Sequence, residues 1–329
     1  MTRMPTEPIA VEPRRVLLTG ASGTLGFNIL RQLAGVPGIH ITASVRTLAS
    51  SLVQFAPQVE FIEHELSDAT HTAQMFERVK PDVILHCAAS GLRPPRGTWF
   101  DLMNFNVEST MRLFQMNCRF NHHSHFIYIS TGLVYRMQGR PLVETDPIET
   151  LHPYGASKAA TDSMLQAAAA EFGRSLTILR PFAFTGPHDA AGRLFPEILR
   201  AASEGRTLPL TDGLQIRDFC AVQDIARAVV QCVQRTPEQL IEKFNLGSGQ
   251  EMPLRRLIEQ TLATLDLKAD LRFGDVPRNP LEPAHLVANA SHAREVLGWQ
   301  TETSLAQAVW ELAQEIAPNL QLARPALTK

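Results

Sequence analysis

The stretch Val16-Leu17-Leu18-Thr19-Gly20-Ala21-Ser22-Gly23-Thr24-Leu25-Gly26 constrains the fold more than any other part of the chain. A short apolar strand runs straight into three glycines, each three residues after the last, and then into the helical pattern Phe27 to Ala34. That strand, loop and helix context is what a dinucleotide-binding glycine motif requires. Gly20 permits the tight turn, Gly23 lets a backbone approach a pyrophosphate, and Gly26 lets the helix pack on the strand. The unpaired N–H groups at the helix start would face the phosphates, so Gly20, Ser22, Gly23, Thr24, Leu25 and Gly26 are the first candidate cofactor contacts.

The rest of the chain repeats the alternation. Strands are predicted at Arg15 to Leu18, Ile39 to Val45, Val59 to Glu63, Asp82 to His86, Phe126 to Ser130, Thr177 to Arg180 and Phe244 to Leu246, and the clearest helices at Asn104 to Phe120 and Tyr154 to Phe172. Strands alternating with helical patterns read as βαβ units, hence an α/β fold with a doubly wound, Rossmann-type parallel sheet. Beyond Pro181 the alternation loosens as Pro and Gly become frequent, which marks a smaller, mostly helical C-terminal substrate region. Phe219 to Gln234 and the strand ending at Leu246 read as a return to the sheet, and Met252 to Gln314 as mostly helical around a Pro-rich stretch, Pro277 to Pro283. The predicted division assigns 14–184 and 217–249 to the dinucleotide domain, 185–216 and 250–320 to the substrate region, and 1–13 and 321–329 to flexible termini.

Composition narrows the function classes. Of 329 residues, 44% are apolar and 19% charged, with no uncharged apolar run near the length of a membrane span, and the net charge is −2 without a basic cluster. A membrane protein, a disordered tail and a nucleic-acid binder are thereby disfavoured. Cys87, Cys118, Cys220 and Cys232 are scattered outside any metal-ligand spacing, and Met1 to Arg15 lacks the apolar core of a signal peptide. The expectation is a cytoplasmic protein with reduced thiols and no metal.

At the end of the second predicted strand an NAD enzyme places an acid on the ribose 2′-hydroxyl. Here the chain reads Ser44-Val45-Arg46. An arginine at this place can pair with a 2′-phosphate, so NADP(H) is the preferred cofactor and NAD(H) the alternative; otherwise Arg46 is a solvated loop residue.

Tyr154-Gly155-Ala156-Ser157-Lys158 puts a phenol and an ammonium four residues apart on one helix face. A free phenol titrates near 10, and bringing it near 7 takes roughly 4 kcal/mol, which a close ammonium and a charged oxidised nicotinamide could supply. This pair follows a strand that ends Tyr128-Ile129-Ser130-Thr131. With these motifs in this order, the chain resembles the extended short-chain dehydrogenases/reductases of the nucleotide-sugar epimerase/dehydratase type, from Val16 to about Leu312. The resemblance extends to Cys87-Ala88-Ala89, to Asn106-Val107-Glu108-Ser109-Thr110, to Arg180-Pro181-Phe182 with Gly186-Pro187, and to Arg217-Asp218-Phe219 with Asp224. Asn245-Leu246-Gly247-Ser248-Gly249 and Leu297-Gly298-Trp299 match the family's later landmarks.

The resemblance implies roles. Tyr154 would be the general acid/base, Lys158 would hold the nicotinamide ribose and depress the Tyr154 pKa, and Thr131 would hydrogen-bond the reacting oxygen. Glu65, Leu66, Cys87, Ala88, Ala89, Asn106 and Pro181 would line the cofactor, with Glu65 standing where the family commonly has an Asp beside adenine. Ser90, Thr131, Gly132, Leu133 and Phe184 would meet the sugar. Arg217 and Arg278 would hold the diphosphate of a nucleotide sugar; a salt bridge from Arg217 to Asp218 or Asp224 is the structural alternative.

Departures from the family narrow the reaction. The 4,6-dehydratases place Asp-Glu after the catalytic Thr, related decarboxylases keep a Glu there, and the epimerase-reductases of the GDP-fucose pathway need a Cys where Leu133 stands. Gly132 and Leu133 transfer no proton. An NADPH-dependent 4-ketoreductase of a nucleotide-linked 4-keto-6-deoxy sugar is therefore expected, with a nucleotide-sugar 4-epimerase holding NAD tightly as the alternative. A cofactor-sensing protein without catalysis is the reading from another class, opposed by the intact Thr131, Tyr154 and Lys158.

Other features read as structural. His122, His123 and His125 suggest a solvated turn, not a metal site. Met103, Met111, Phe114 and Phe120 are spaced for a core or for the helical contact of a homodimer, and Arg93 and Arg96 lie in a loop that could reach substrate.

Overall fold

The computed structural model describes residues 13–91, 98–120 and 123–326; Arg93, Arg96 and His122 lie outside them. The first half is built from β1 (Arg14–Thr19), α1 (Thr24–Leu33), β2 (Ile39–Val45), β3 (Val59–Glu63), α2 (Ala69–Val79), β4 (Val83–His86), α3 (Trp99–Leu102), α4 (Ser109–Phe120) and β5 (His125–Ile129). After it come α5 (Pro153–Phe172), β6 (Leu176–Pro181), α6 (Leu194–Glu204), α7 (Val222–Gln234), α8 (Leu254–Thr264), α9 (Ser291–Leu297) and α10 (Leu305–Ile316). With the edge strand Ile241–Leu246, the first six strands form one seven-stranded sheet, ordered edge strand, β6, β5, β4, β1, β2, β3. Every pairing in it is parallel.

That order places β1 between β2 and β4, so the chain reverses direction across β1. Ligands of open parallel sheets bind at the carboxyl ends beside such a reversal. Side chains along β1 alternate, with Val16 and Leu18 in one core layer and Leu17 in the other, as period two requires. The first layer is covered by α1 and α7, the second by α2, α4 and α5. A third core joins α6, α8 and α10 through Phe195, Ile198, Leu257, Ile258, Val309 and Leu312.

Local chemistry explains the helix ends. Asp68 caps α2, accepting from the N–H groups of Thr70 at 2.9 Å and His71 at 3.0 Å. Pro153 opens α5 where a missing N–H costs nothing, and Gly173 closes it in the left-handed conformation at φ 60°.

Several expectations need correction. The helix expected from Asn104 starts at Trp99, where Thr98 and Asp101 form a capping box, and passes through a π-helical turn, Met103–Glu108; Met103 is exposed. Phe219–Ala221 leaves the central sheet and pairs with Ala183–Thr185. Between α8 and α9 the chain is irregular, with short strands at Leu271–Phe273 and His285–Leu286. His125 lies in β5, buried, with Nε2 2.9 Å from Thr177 Oγ1, because strand pairing overrides a polar local sequence. Residues 321–326 are docked: Ala323 N–H donates to Leu265 O at 2.9 Å and Arg324 lies over Trp310. Among the described residues no helix is long and apolar enough to cross a membrane, and no three His, Cys, Asp or Glu side chains are grouped as metal ligands.

Candidate active site

The glycine loop sits at the carboxyl end of β1. Gly20 has φ +76°, and a Cβ there would lie 2.5 Å from the Ala88 nitrogen; at Gly26 it would lie 2.2 Å from the Gly20 oxygen. Both glycines are thus demanded by the chain's own packing. Gly23 is different, since a Cβ would meet only the Gly20 oxygen, at 3.4 Å. Gly23 caps α1 without any side-chain hydrogen bond, and the first turn carries no acid. Room left by a missing side chain, beside an uncapped helix start, fits a pyrophosphate held by the N–H groups of Thr24, Leu25 and Gly26. Ser22 is exposed on the same loop.

Arg46 extends from the end of β2 into solvent, and among the described residues no ion pair engages it. Glu65 is exposed and Leu66 buried past the end of β3. On the other side of β1, Cys87, Ala88, Ala89 and Ser90 continue β4, and burial pushes the Cys87 thiol up to about 12. Asn106, in the π-helical turn, receives the Ser90 N–H at 2.8 Å and donates to Ser90 O and Ser157 Oγ, both at 2.9 Å. It thereby joins the end of β4 to α5.

Thr131 caps the short turn Gly132–Val134, its Oγ1 accepting from Leu133 N–H at 3.3 Å. Two close approaches fix this turn. A Cβ at Gly155 would lie 2.5 Å from the Leu133 oxygen, and one at Gly132 would lie 2.9 Å from three ring carbons of Phe182. The first turn of α5, which carries Tyr154, is thus set directly against the Thr131 turn. His152 caps α5 by accepting from Gly155 N–H at 3.3 Å, with its ring edge-on to Tyr154.

Burial pushes the Tyr154 phenol up to about 12, with Arg193 pulling it down, and pushes the Lys158 ammonium down to about 7, with Asp162 opposing. In the chain alone desolvation outweighs Arg193, the cation that lowers the phenol. Lys158 Nζ lies 4.1 Å from the centre of the Tyr128 ring. Asp162, fully buried, is paired with Arg180 at 2.9 Å. Arg180 also donates to the Tyr135 hydroxyl at 2.7 Å, so it braces α5 against β6. Pro181 ends β6, and Phe184 follows in the short strand Ala183–Thr185.

The two arginines assigned to a diphosphate are each paired. Arg217, mostly buried, donates to Glu282 at 2.7 Å, and exposed Arg278 makes two bonds to Asp212, at 2.6 and 2.7 Å. Neither Asp218 nor Asp224 pairs with Arg217. Asp218 accepts from the N–H groups of Ser248, Gly249 and Ala288, and Asp224 from those of Glu302 and Thr303. Asp162, Arg193 and Glu282 were not found by reading the sequence; only Asp162 left a signal, standing four residues after Lys158 on the same helix face. A separate cavity of about 370 Å³, lined by Cys220, Ser248, Leu257, Thr261 and Thr303 among others, includes neither Thr131, Tyr154 nor Lys158.

Residues 16–247 match the model of the NAD dependent epimerase/dehydratase family. The chain is 30% identical over 315 residues to UDP-glucose 4-epimerase of Mycolicibacterium smegmatis, covering 90% of this chain and 96% of that one. It is 26% identical over 315 residues to dTDP-glucose 4,6-dehydratase of Neisseria meningitidis, covering 87% and 88%. The fold of UDP-glucuronic acid 4-epimerase from Bacillus cereus, solved with UDP-glucuronic acid and NAD, superimposes with a TM-score of 0.84 at 22% identity, over 93% of this chain and 99% of that one.

Proposed function

The chain is an enzyme of the NAD dependent epimerase/dehydratase family, and from that premise we propose that it moves a hydride at C4 of a nucleotide-linked sugar without expelling water. One observation carries this reading. Beside Tyr154 the turn after Thr131 offers Gly132 and Leu133, and the Phe182 ring closes on Gly132 at a distance that excludes even a Cβ. The turn that carries acids in dehydratases therefore supplies no second proton-transferring group.

A bound nicotinamide dinucleotide supplies the hydride acceptor and donor. The glycine loop, Asn106 and Pro181 would frame it, Lys158 would hold the nicotinamide ribose, and Tyr154 would move the proton at the sugar's O4 while Thr131 hydrogen-bonds that oxygen. Arg217 and Arg278 would hold the diphosphate, exchanging Glu282 and Asp212 for phosphate oxygens. Residues 14–184 and 217–249 form the cofactor half in this reading, and 185–216 with 250–320 the substrate half. A homodimer through α4 and α5 belongs to the same reading, supported by exposed Met103 in the turn leading into α4 and exposed Met164 and Phe172 on α5.

The product we place first is the C4 epimer, with NAD retained through the cycle, supported by the epimerases among the relatives. The second reading is an NADPH-dependent 4-ketoreductase, favoured by exposed Arg46, which no ion pair engages among the described residues. One experiment separates them. The nucleotide released on denaturing the purified protein is identified by mass, and the native protein is incubated with UDP-glucose, with UDP-glucuronic acid, with dTDP-glucose, and with dTDP-4-keto-6-deoxyglucose plus NADPH. Interconversion of C4 epimers supports the first reading and NADPH oxidation the second, with Arg46→Ala losing any preference for NADPH over NADH. Formation of a 4-keto-6-deoxy product from dTDP-glucose would overturn both.

A further inference from the structure

The segment that leaves the sheet after Ala183–Thr185 turns back over the phosphate loop. Asn28, buried in α1, donates to Thr24 O at 2.8 Å and to Pro187 O at 2.7 Å. Asp189 accepts from Thr24 Oγ1 at 3.3 Å, from Thr185 Oγ1 at 2.7 Å and from Arg193 at 2.8 Å. Between them, the His188 ring stacks on Phe27, with centres 3.9 Å apart and planes at 17°. Its Nε2 lies 3.3 Å from the Ser22 carbonyl oxygen. A carbonyl only accepts, so Nε2 carries the hydrogen.

His188 holds this place against its own backbone preference. Its φ is +59°, a left-handed conformation that strains any residue with a Cβ and that glycine adopts freely. Such strain persists where the surroundings over-determine it. Here α10 supplies the outer constraint, Glu315 accepting the His188 N–H at 2.6 Å. The result is felt at one peptide: the Ser22 carbonyl faces His188, while the Gly23 N–H donates to Gly20 O at 3.1 Å. With both ends of that peptide bound, the N–H groups of the first turn of α1 are aimed before any ligand arrives.

We infer that His188, assisted by Asp189, is a positioning residue of the dinucleotide site, so that the glycine motif is completed from outside by the 187–189 turn and α10. The inference rests on reading the loop as the cofactor site. Dissociation constants for NAD⁺, NADPH and UDP are measured with melting temperatures for the native protein, His188→Gly, His188→Gln and Asp189→Asn. His188→Gly relieves the backbone strain, so it should melt near the native temperature yet bind the dinucleotide about threefold to tenfold more weakly, as expected for one lost hydrogen bond. His188→Gln keeps an N–H donor and should recover part of that loss. Asp189→Asn should weaken dinucleotide binding severalfold, with UDP binding at native strength in all three variants. Native dinucleotide affinity in both His188→Gly and Asp189→Asn overturns the inference, as does an equal loss of UDP binding. A native protein that binds neither dinucleotide overturns the reading of the loop and the inference with it.

Discussion

The Lys158 ammonium lies 4.1 Å from the centre of the Tyr128 ring, and both side chains are buried. The ring face stands where water would otherwise solvate a charge that desolvation pushes down to about 7. A desolvated cation–π contact is worth about 2 kcal/mol, or more than one pH unit. Tyr128→Leu removes the ring and should lower the Lys158 pKa further. The charged form then disappears at lower pH, and the point above which dinucleotide binding weakens should fall by about one unit. Tyr128→Phe keeps the ring and should leave it in place. Binding curves from pH 6 to 9 decide the matter, and superimposable profiles for Phe and Leu count against it.

Tyr154→Phe removes the proton donor and keeps the ring. Turnover should fall about 10²–10⁴-fold, with dinucleotide affinity and melting temperature close to native. Thr131→Val should slow turnover alone, whereas Lys158→Met should weaken dinucleotide binding as well. Single-turnover hydride transfer in the three variants tests these separations, and native rates in Tyr154→Phe would remove the phenol from the mechanism.

The contact between Gly132 and Phe182 is a matter of volume. Gly132→Asp should destabilise the protein by about 1–3 kcal/mol, as overpacking does, and Phe182→Ser should be less damaging in that background than alone. Urea unfolding of the two single variants and the double variant gives the coupling energy; strictly additive costs would show that the ring does not close the site.

Arg217 and Glu282 should respond in opposite directions. Arg217→Ala loses a charge-assisted contact worth about 1.5–3 kcal/mol and should weaken UDP binding without changing dinucleotide affinity. Glu282→Gln removes the carboxylate that occupies the guanidinium and should strengthen UDP binding, most clearly at low salt. Weaker binding in both variants would make the pair a structural brace.

Acid should destabilise the fold through its buried imidazoles. Burial pushes His125 down to about 4 and His86 down to about 3. Between pH 6.5 and 4 the unfolded chain binds a proton at His125 that the folded chain refuses, so stability falls as pH falls, by up to about 3 kcal/mol across that window. His125→Gln should flatten the dependence of unfolding free energy on pH between 6.5 and 4.5. An unchanged slope would assign the acid sensitivity to other groups.

What was legible in the chain was local. The strand before Gly20 and the helix after Gly26 show in nineteen consecutive residues, Val16 to Ala34, and Tyr154 and Lys158 declare their shared face by spacing alone. Illegible were the pairings made by folding: Thr24 with Asp189 across 165 residues, and Arg217 with Glu282 across 65. His125 misled for the reverse reason, because a polar neighbourhood resembled a loop while Asp82, Ser175 and Thr177 were to close over it as a sheet.

The π-helical turn at Met103–Glu108 is the mark of a helix that contains one residue more than its own hydrogen bonding needs. In that turn the Asn106 carbonyl accepts from the hydroxyls of Thr110 and Thr161, and its side-chain amide donates to Ser90 O and Ser157 Oγ. In genetic terms the junction between β4 and α5 is the width of a single codon. Deleting one residue from this turn should give a straighter helix that keeps its phase on either side, and a protein that folds soundly around a site whose halves no longer meet.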